Sequence, residues 1–347
     1  MKKYSFVSIM LAVLLALGLV FVSCDNGTTG SDSEPPPYDN LPNLRNYDAI
    51  FVGEWHDARQ NKEIQLSLIK YYYSEGIRDF AFEHKTCTIL FLRYYVETGD
   101  EECLDFLGRS VFSTYPSDGQ EAYNFWKNLR NWNSTLDEKI RIHYFDNNNN
   151  SFDHVSAAIY FFVLRKYPEI SGVPNIPPLP GNFNLLEQTR ELIRDFRNNK
   201  GRYSSLRAED MELMEKIIAS AESGLGRFNG SMNEYSVDYQ VSREQFMIAN
   251  IREIRRNNNG GKIFAIMGSD HASLLYTVPF DGSVDPIMPS LAGVLKNEMR
   301  IASISLYERA YPLFWQYNIV TDTSLKVTPF VSTYTGNWPY TVRTRVN

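Results

Sequence analysis

Along the chain, short runs of apolar, β-branched or aromatic residues alternate with longer stretches in which apolar positions recur every three or four residues. The short runs predict strands at Ala49 to Gly53, Arg78 to Glu83, Ile140 to Asp146, Lys262 to Gly268 and Ile301 to Tyr307. A helix from about Asn61 to Ser74, ended by Gly76, falls between the first two. Such alternation predicts an α/β fold, a mostly parallel sheet flanked by helices. Polar, Pro-rich stretches at Asn147 to Phe152 and Pro174 to Gly181 interrupt it, and helical patterns follow around Leu185 to Asn198, Leu206 to Ser223 and Val237 to Arg256. These read as a helical insertion at about 151–240 lying over the carboxyl edge of the sheet. The tail after Pro312 mixes Thr, Tyr and Pro and leaves further strands open.

The first residues belong to a different pattern. Lys2 and Lys3 precede an apolar run from Phe6 to Val22 that ends at Ser23-Cys24. This is the form of a secretory signal peptide, with a small residue before a cysteine that can carry acyl chains. An ordinary cleaved signal and an uncleaved transmembrane helix are the competing readings. The segment DNGTTGSDSEPPP from Asp25 to Pro37 is too polar and too rich in Gly, Ser and Pro to pack. The expected organisation is a lipoprotein signal at 1–23, a flexible tether at 24–40 beginning with a lipidated Cys24, and one α/β domain at 41–347. The expected location is the cell envelope, outside the cytoplasm, with the membrane met through the lipid.

Composition narrows the partners. The 347 residues are 43% hydrophobic and 22% charged, with a formal net charge of -6 and no basic stripe, which leaves nucleic acid an unlikely partner and a small molecule the expected one. Of 3 cysteines, Cys24 is assigned to the lipid, so Cys87 and Cys103 either pair or stand apart as small buried side chains. No Cys-x-x-Cys occurs to form a structural zinc site.

The residues at the strand ends carry the chemistry. The first strand ends in Gly53-Glu54-Trp55-His56-Asp57, the second in Glu83-His84, the third in Asp146 and the fourth in Gly268-Ser269-Asp270-His271. In an open parallel sheet these ends share one edge, and ligands bind in the crevice beyond it. Three of the 5 histidines fall at such positions. On the predicted helix Val237 to Arg256, Arg243, Met247 and Asn250 are spaced i, i+4 and i+7 and share a face.

The ordered set of motifs resembles a known superfamily. IFVGEWHD, a helix with Gln65, and FAFEH are similar to the opening of the group that joins erythromycin esterases, ChaN-type haem-binding lipoproteins and Tiki/TraB proteins. RYYVETGD, IRIHYFD, SREQFMIANI and IFAIMGSDHA resemble later segments of erythromycin esterases in the same order, and PSLAGVLKNEMRIASISLY is a looser match. The likeness runs from about Asp48 to Tyr307. Glu244 stands where the family has Asp after the Arg, Tyr144 where a glycine would precede the Asp-ending turn, and the insertion is not that of any one branch.

Three roles follow for the same residues. The esterase resemblance implies a hydrolase without metal, in which His56 activates water, Glu54 and Glu83 tune and orient it, and Arg243 and His271 stabilise the oxyanion. Arg243 pairing with a core carboxylate such as Glu83 is the equal alternative. Asn250, His84 and Asp146 are candidates for substrate binding, His84 a weak one because neighbours in a strand point to opposite faces. The Tiki resemblance would instead make Glu54, His56, Glu83 and His271 ligands to a divalent metal. The ChaN resemblance implies a binding lipoprotein that holds haem or another apolar ligand without catalysis. The first reading is favoured, with no cofactor expected. No Gly-x-Ser-x-Gly elbow occurs, so no serine nucleophile is expected. His143 and His154 are expected to be structural.

Overall fold

The computed structural model describes residues 41–54, 61–110, 119–148, 152–174, 185–225, 237–274, 290–307, 326–330 and 340–346. Residues 1–40, expected to hold the signal, Cys24 and the tether, lie outside them, as does His56.

All five expected strands form: β1 (Ala49–Glu54), β2 (Asp79–Lys85), β3 (Arg141–Asp146), β4 (Ile263–Gly268) and β5 (Ile301–Tyr307). They lie parallel in the order β3-β2-β4-β1-β5. The tail adds β6 (Lys326–Phe330) and β7 (Tyr340–Val346), which extend the β5 edge as antiparallel strands. Every residue of β1 and β4 is buried, which explains why both read as unbroken apolar runs rather than as alternating ones.

Alternation along each strand divides the core in two. Ile50, Val52, Phe80, Phe82, Phe264 and Ile266 face one layer. Ala49, Phe51, Ala81, Ile263, Ala265 and Met267 face the other. The first layer is covered by α1 (Asn61–Ser74), α2 (Thr86–Thr98), α3 (Glu101–Ser110) and α4 (Gly119–Thr135). Helix α1 stops where Gly76 turns into the left-handed region at φ +103°, a conformation that frees the Ile77 N–H to close on Tyr72 O at 2.9 Å.

Between β3 and the helix that returns to the sheet lie α5 (Phe152–Ala158), α6 (Leu185–Asn198) and α7 (Ala208–Leu225). Helix α5 runs on through a π turn at Ile159–Val163 and a 3-10 turn at Leu164–Lys166. Helix α7 reaches the carboxyl ends of β2 and β3: Ser220 Oγ donates to Thr86 Oγ1 at 2.8 Å, and Ser220 O accepts from Asn148 N at 3.2 Å. The second layer belongs to α8 (Val237–Asn257) and α9 (Leu291–Leu295), which bury Met247, Ile248, Ile251, Leu291 and Leu295 against the sheet. Among the described residues no helix is long and apolar enough to cross a membrane.

Cys87 and Cys103 are both buried and free, so the open question of their pairing resolves to separate side chains. The Cys87 sulfur accepts from Asn148 Nδ2 at 3.1 Å. The structural reading of two histidines fits their surroundings: His143 Nε2 meets Asp79 Oδ1 at 2.8 Å and His154 Nδ1 meets Thr88 Oγ1 at 3.0 Å.

Candidate active site

Placing β4 between β1 and β2 brings the ends of four strands side by side in the order Asp146, Glu83, Gly268, Glu54. A close backbone approach holds this edge together. The Ser269 N–H donates to Glu54 O at 3.0 Å, and a methyl group on Gly53 would stand 2.9 Å from Ser269 Cα and 3.1 Å from Ala272 Cβ. Only hydrogen fits at Gly53, and this lets the turn carrying His271 lie against β1. That turn is fixed from its far side as well, since Ala292 N donates to His271 O at 3.0 Å and Ser303 Oγ to Ala272 O at 2.6 Å.

Arg243 joins the clusters. Its Nε donates to Asp146 Oδ1 at 2.9 Å and its Nη2 to Asp146 Oδ2 at 2.8 Å, a bidentate pair. Nη2 also donates to Glu83 Oε1 at 2.6 Å, and Nη1 lies 3.3 Å from His271 Nε2. The second oxygen of Glu83 accepts from the Gly268 backbone N–H. Burial disfavours a charge on Arg243, but Asp146 and Glu83 outweigh it and hold the guanidinium firmly protonated. Met247 and Asn250, on the same face, bind the scaffold: Met247 is fully buried and Asn250 Nδ2 donates to Phe145 O at 3.1 Å.

His271 is clamped between acids. Its Nδ1 bonds to Glu244 Oε1, and Nε2 stands 3.4 Å from Glu83 Oε1. Burial alone would favour the neutral ring; the two carboxylates reverse this and push its pKa up to about 10.

Glu54 lies on the other side of Gly268. It accepts from Gln65 Nε2 and, at 3.3 Å, from Lys62 Nζ, both on the first turns of α1. Glu54 and Glu83 line one pocket together with Lys62, Gln65, His84 and an apolar wall of Phe82, Phe125 and Trp126. The ring of His84 lies 6.1 Å from that of Trp126, in the layer that Phe82 also faces, while the Glu83 carboxylate reaches Arg243 and His271. Pairing of β2 with β3 jumps from Phe82 opposite Tyr144 to Lys85 opposite Asp146, one extra residue at the end of β2, and Glu83 and His84 both border the pocket.

Of the candidate residues, Glu83, Asp146, Arg243 and His271 are thus in direct contact, and Glu54 and His84 border the pocket they share with Glu83. The observed partner of Asp146 is Arg243, and that of Asn250 is a strand carbonyl, so both are engaged within the protein. His56 follows β1 and lies outside the described residues. Among those described, no group of three or more His, Cys, Asp or Glu side chains is placed to hold a metal ion. Glu83 and His271, two members of the alternative ligand set, instead share Arg243 as a neighbour.

Two further residues join the site that the strand-end pattern does not mark, Glu244 and Lys62. The available signal for Glu244 was an acidic residue directly after Arg243, at a position where the resemblance has Asp. For Lys62 it was the i, i+3 spacing to Gln65 on one helix face.

No family model and no curated protein matches the chain. Solved structures do. One is a Bacillus cereus protein of 16% identity, aligned over 76% of this chain and 68% of its own, with a TM-score of 0.49. A succinoglycan biosynthesis protein has 18% identity over 76% of this chain and 67% of its own, also at 0.49. A point mutant of the erythromycin esterase EreC in its open conformation has 13% identity over 77% of this chain and 71% of its own, again at 0.49.

Proposed function

We propose that this chain is an exported lipoprotein with hydrolase activity, cleaving an ester or similar acyl bond by attack of a water that His56 activates. One observation carries the reading: a buried Arg243 and His271 are held against Glu83 at the carboxyl edge, beside a pocket with an apolar wall. The motif set from Asp48 to Tyr307 supports the assignment of His56, which directly follows the strand that ends in Glu54.

In this reading His56 takes the proton from water, and Glu54, held by Gln65 and Lys62, orients that imidazole. His271, kept protonated, stabilises the negative charge that develops on the carbonyl oxygen and returns a proton to the leaving group. Arg243 acts from behind, because its N–H groups are directed at Asp146 and Glu83. It is therefore assigned to holding Glu83 and the charge balance of the edge. The acid-base work is done by protein groups, and the phenyl and indole rings of Phe125 and Trp126 face the apolar part of the substrate. Lipidation of Cys24 would place the domain at a membrane surface on a short tether.

The test uses the soluble chain from Asp25 onward, purified without added cofactor. A panel of esters of graded acyl size is assayed alongside metal analysis and a visible spectrum. Turnover that survives chelation and is lost in His56→Ala supports the reading. A stoichiometric divalent metal whose removal abolishes activity, or a Soret band without turnover, overturns it. Labelling of the full chain with palmitate, compared with Cys24→Ala, tests the anchor.

A further inference from the structure

Glu244 is a buried carboxylate at the edge of the candidate site. Its side chain is 3% exposed, and only one of its carboxylate oxygens meets a donor, Nδ1 of His271. The other oxygen is buried, with no hydrogen-bond partner among the described residues. A half-satisfied buried carboxylate is costly, and an amide or an apolar residue would fill the same volume at less cost. The charge at this position therefore calls for a compensating role, and the geometry points to His271.

An imidazole has two distinct nitrogens, and the hydrogen bond at one decides what the other presents. With a carboxylate oxygen at Nδ1, a lone pair there would face a negative charge, so Nδ1 carries the proton. Nε2 is then the nitrogen on the cleft side, 3.4 Å from Glu83 Oε1 and 3.3 Å from Arg243 Nη1. Arg243 and Glu244 are consecutive on α8, and successive helix positions point about 100° apart. One thus reaches across to Asp146 and Glu83 while the other turns to His271. A single helix sets both sides of the edge.

We propose that Glu244 is a positioning residue that accepts from the Nδ1–H of His271, so fixing the tilt of the ring and the nitrogen that keeps a proton whenever the ring is neutral, and leaves Nε2 toward Glu83, Arg243 and the cleft. The catalytic consequence rests on the hydrolase reading; the geometric statement does not. Among the described residues, the charged groups facing the ring are Glu83, Glu244 and Arg243.

The experiment combines imidazole nitrogen NMR with kinetics on the soluble chain, the His271 signal being assigned by its loss in His271→Gln. In the unaltered protein Nδ1 is protonated throughout the neutral range. In Glu244→Gln the side-chain carbonyl can still accept, so the tautomer persists while the second ring proton is lost at a lower pH. In Glu244→Ala both are lost, and kcat for an ester falls about 100-fold with KM changed less than about twofold. Glu244→Asp recovers part of the Nδ1 signal and part of kcat, with circular dichroism reporting the fold of each variant. A His271 spectrum unchanged in Glu244→Ala overturns the proposal. If Glu244→Ala does not fold, the Gln and Asp variants decide it, and an unaltered titration in both overturns it equally. Absence of ester turnover in the unaltered protein removes the hydrolase reading while the NMR result still judges Glu244.

Discussion

Arg243 meets Asp146 side-on, Nε to Oδ1 at 2.9 Å and Nη2 to Oδ2 at 2.8 Å, and the same Nη2 reaches Glu83. The guanidinium thereby ties the end of β3 to the end of β2 from a helix that begins almost a hundred residues later. Both carboxylates are nearly fully buried, with side-chain exposures of 6% and 5%. The pairing is a structural requirement of the edge on which the candidate chemistry lies.

Removing the guanidinium should therefore unfold more than it inactivates. Arg243→Met leaves two buried carboxylates without their counter-charge and is expected to cost about 3–5 kcal/mol in urea unfolding. Asp146→Asn in the same background should recover part of that loss, because the two positions are coupled. Additive effects of the two changes would show that the pair is not the link between the strands.

The raised pKa of His271 sets a pH dependence of stability. Its folded value, pushed up to about 10 by Glu83 and Glu244 against the effect of burial, lies above the unfolded value of about 6.5. The contribution is fully present below the unfolded value and is lost as pH rises toward 10. Melting temperature measured across this range should decline, and His271→Gln should flatten the decline. An identical slope in that variant would assign the effect to other groups.

At the opposite end of the sheet, Asp79 behaves with the reverse sign. Burial raises its pKa, but bonds from Arg141 and His143 outweigh this and hold the carboxyl well below the usual carboxylate range. Its contribution is present above about pH 4 and fades as pH falls below that value. Asp79→Asn should lower stability at neutral pH, lose most of that deficit in acid, and leave ester turnover unchanged. A loss of turnover at equal stability would connect this cluster to the site.

Gly53→Ala introduces a methyl group 2.9 Å from Ser269 Cα, backbone that cannot move aside as a flexible side-chain tip would. A destabilisation of about 1–3 kcal/mol is expected from the overpacking. The displaced turn carries His271, so kcat should fall by more than the loss of folded protein explains. Unfolding curves and active-site-normalised rates separate the two effects.

Strand positions were legible because the signal is local. Five short apolar runs between polar or Gly-containing segments sufficed for β1 to β5, and the spacing of Arg243, Met247 and Asn250 placed them on one face of α8. The strand-end rule also located the edge at which Glu83, Asp146 and His271 meet. Less legible was the extra residue in the pairing of β2 with β3, visible only once the two strands are aligned. Glu244 stood in view beside Arg243 and was passed over because its partner lies 27 residues away on a different element.

The α/β class, the parallel strands and the residues that end them follow from local pattern, since periodicity and turn chemistry act over a few neighbouring positions. The tertiary structure alone decided that β4 enters between β1 and β2, that the Gly268 N–H caps Glu83, and that Arg243 and Glu244 divide between two acid-base partners. These depend on contacts between distant segments, where pairing, burial and charge balance are settled together and leave no periodic trace in the chain.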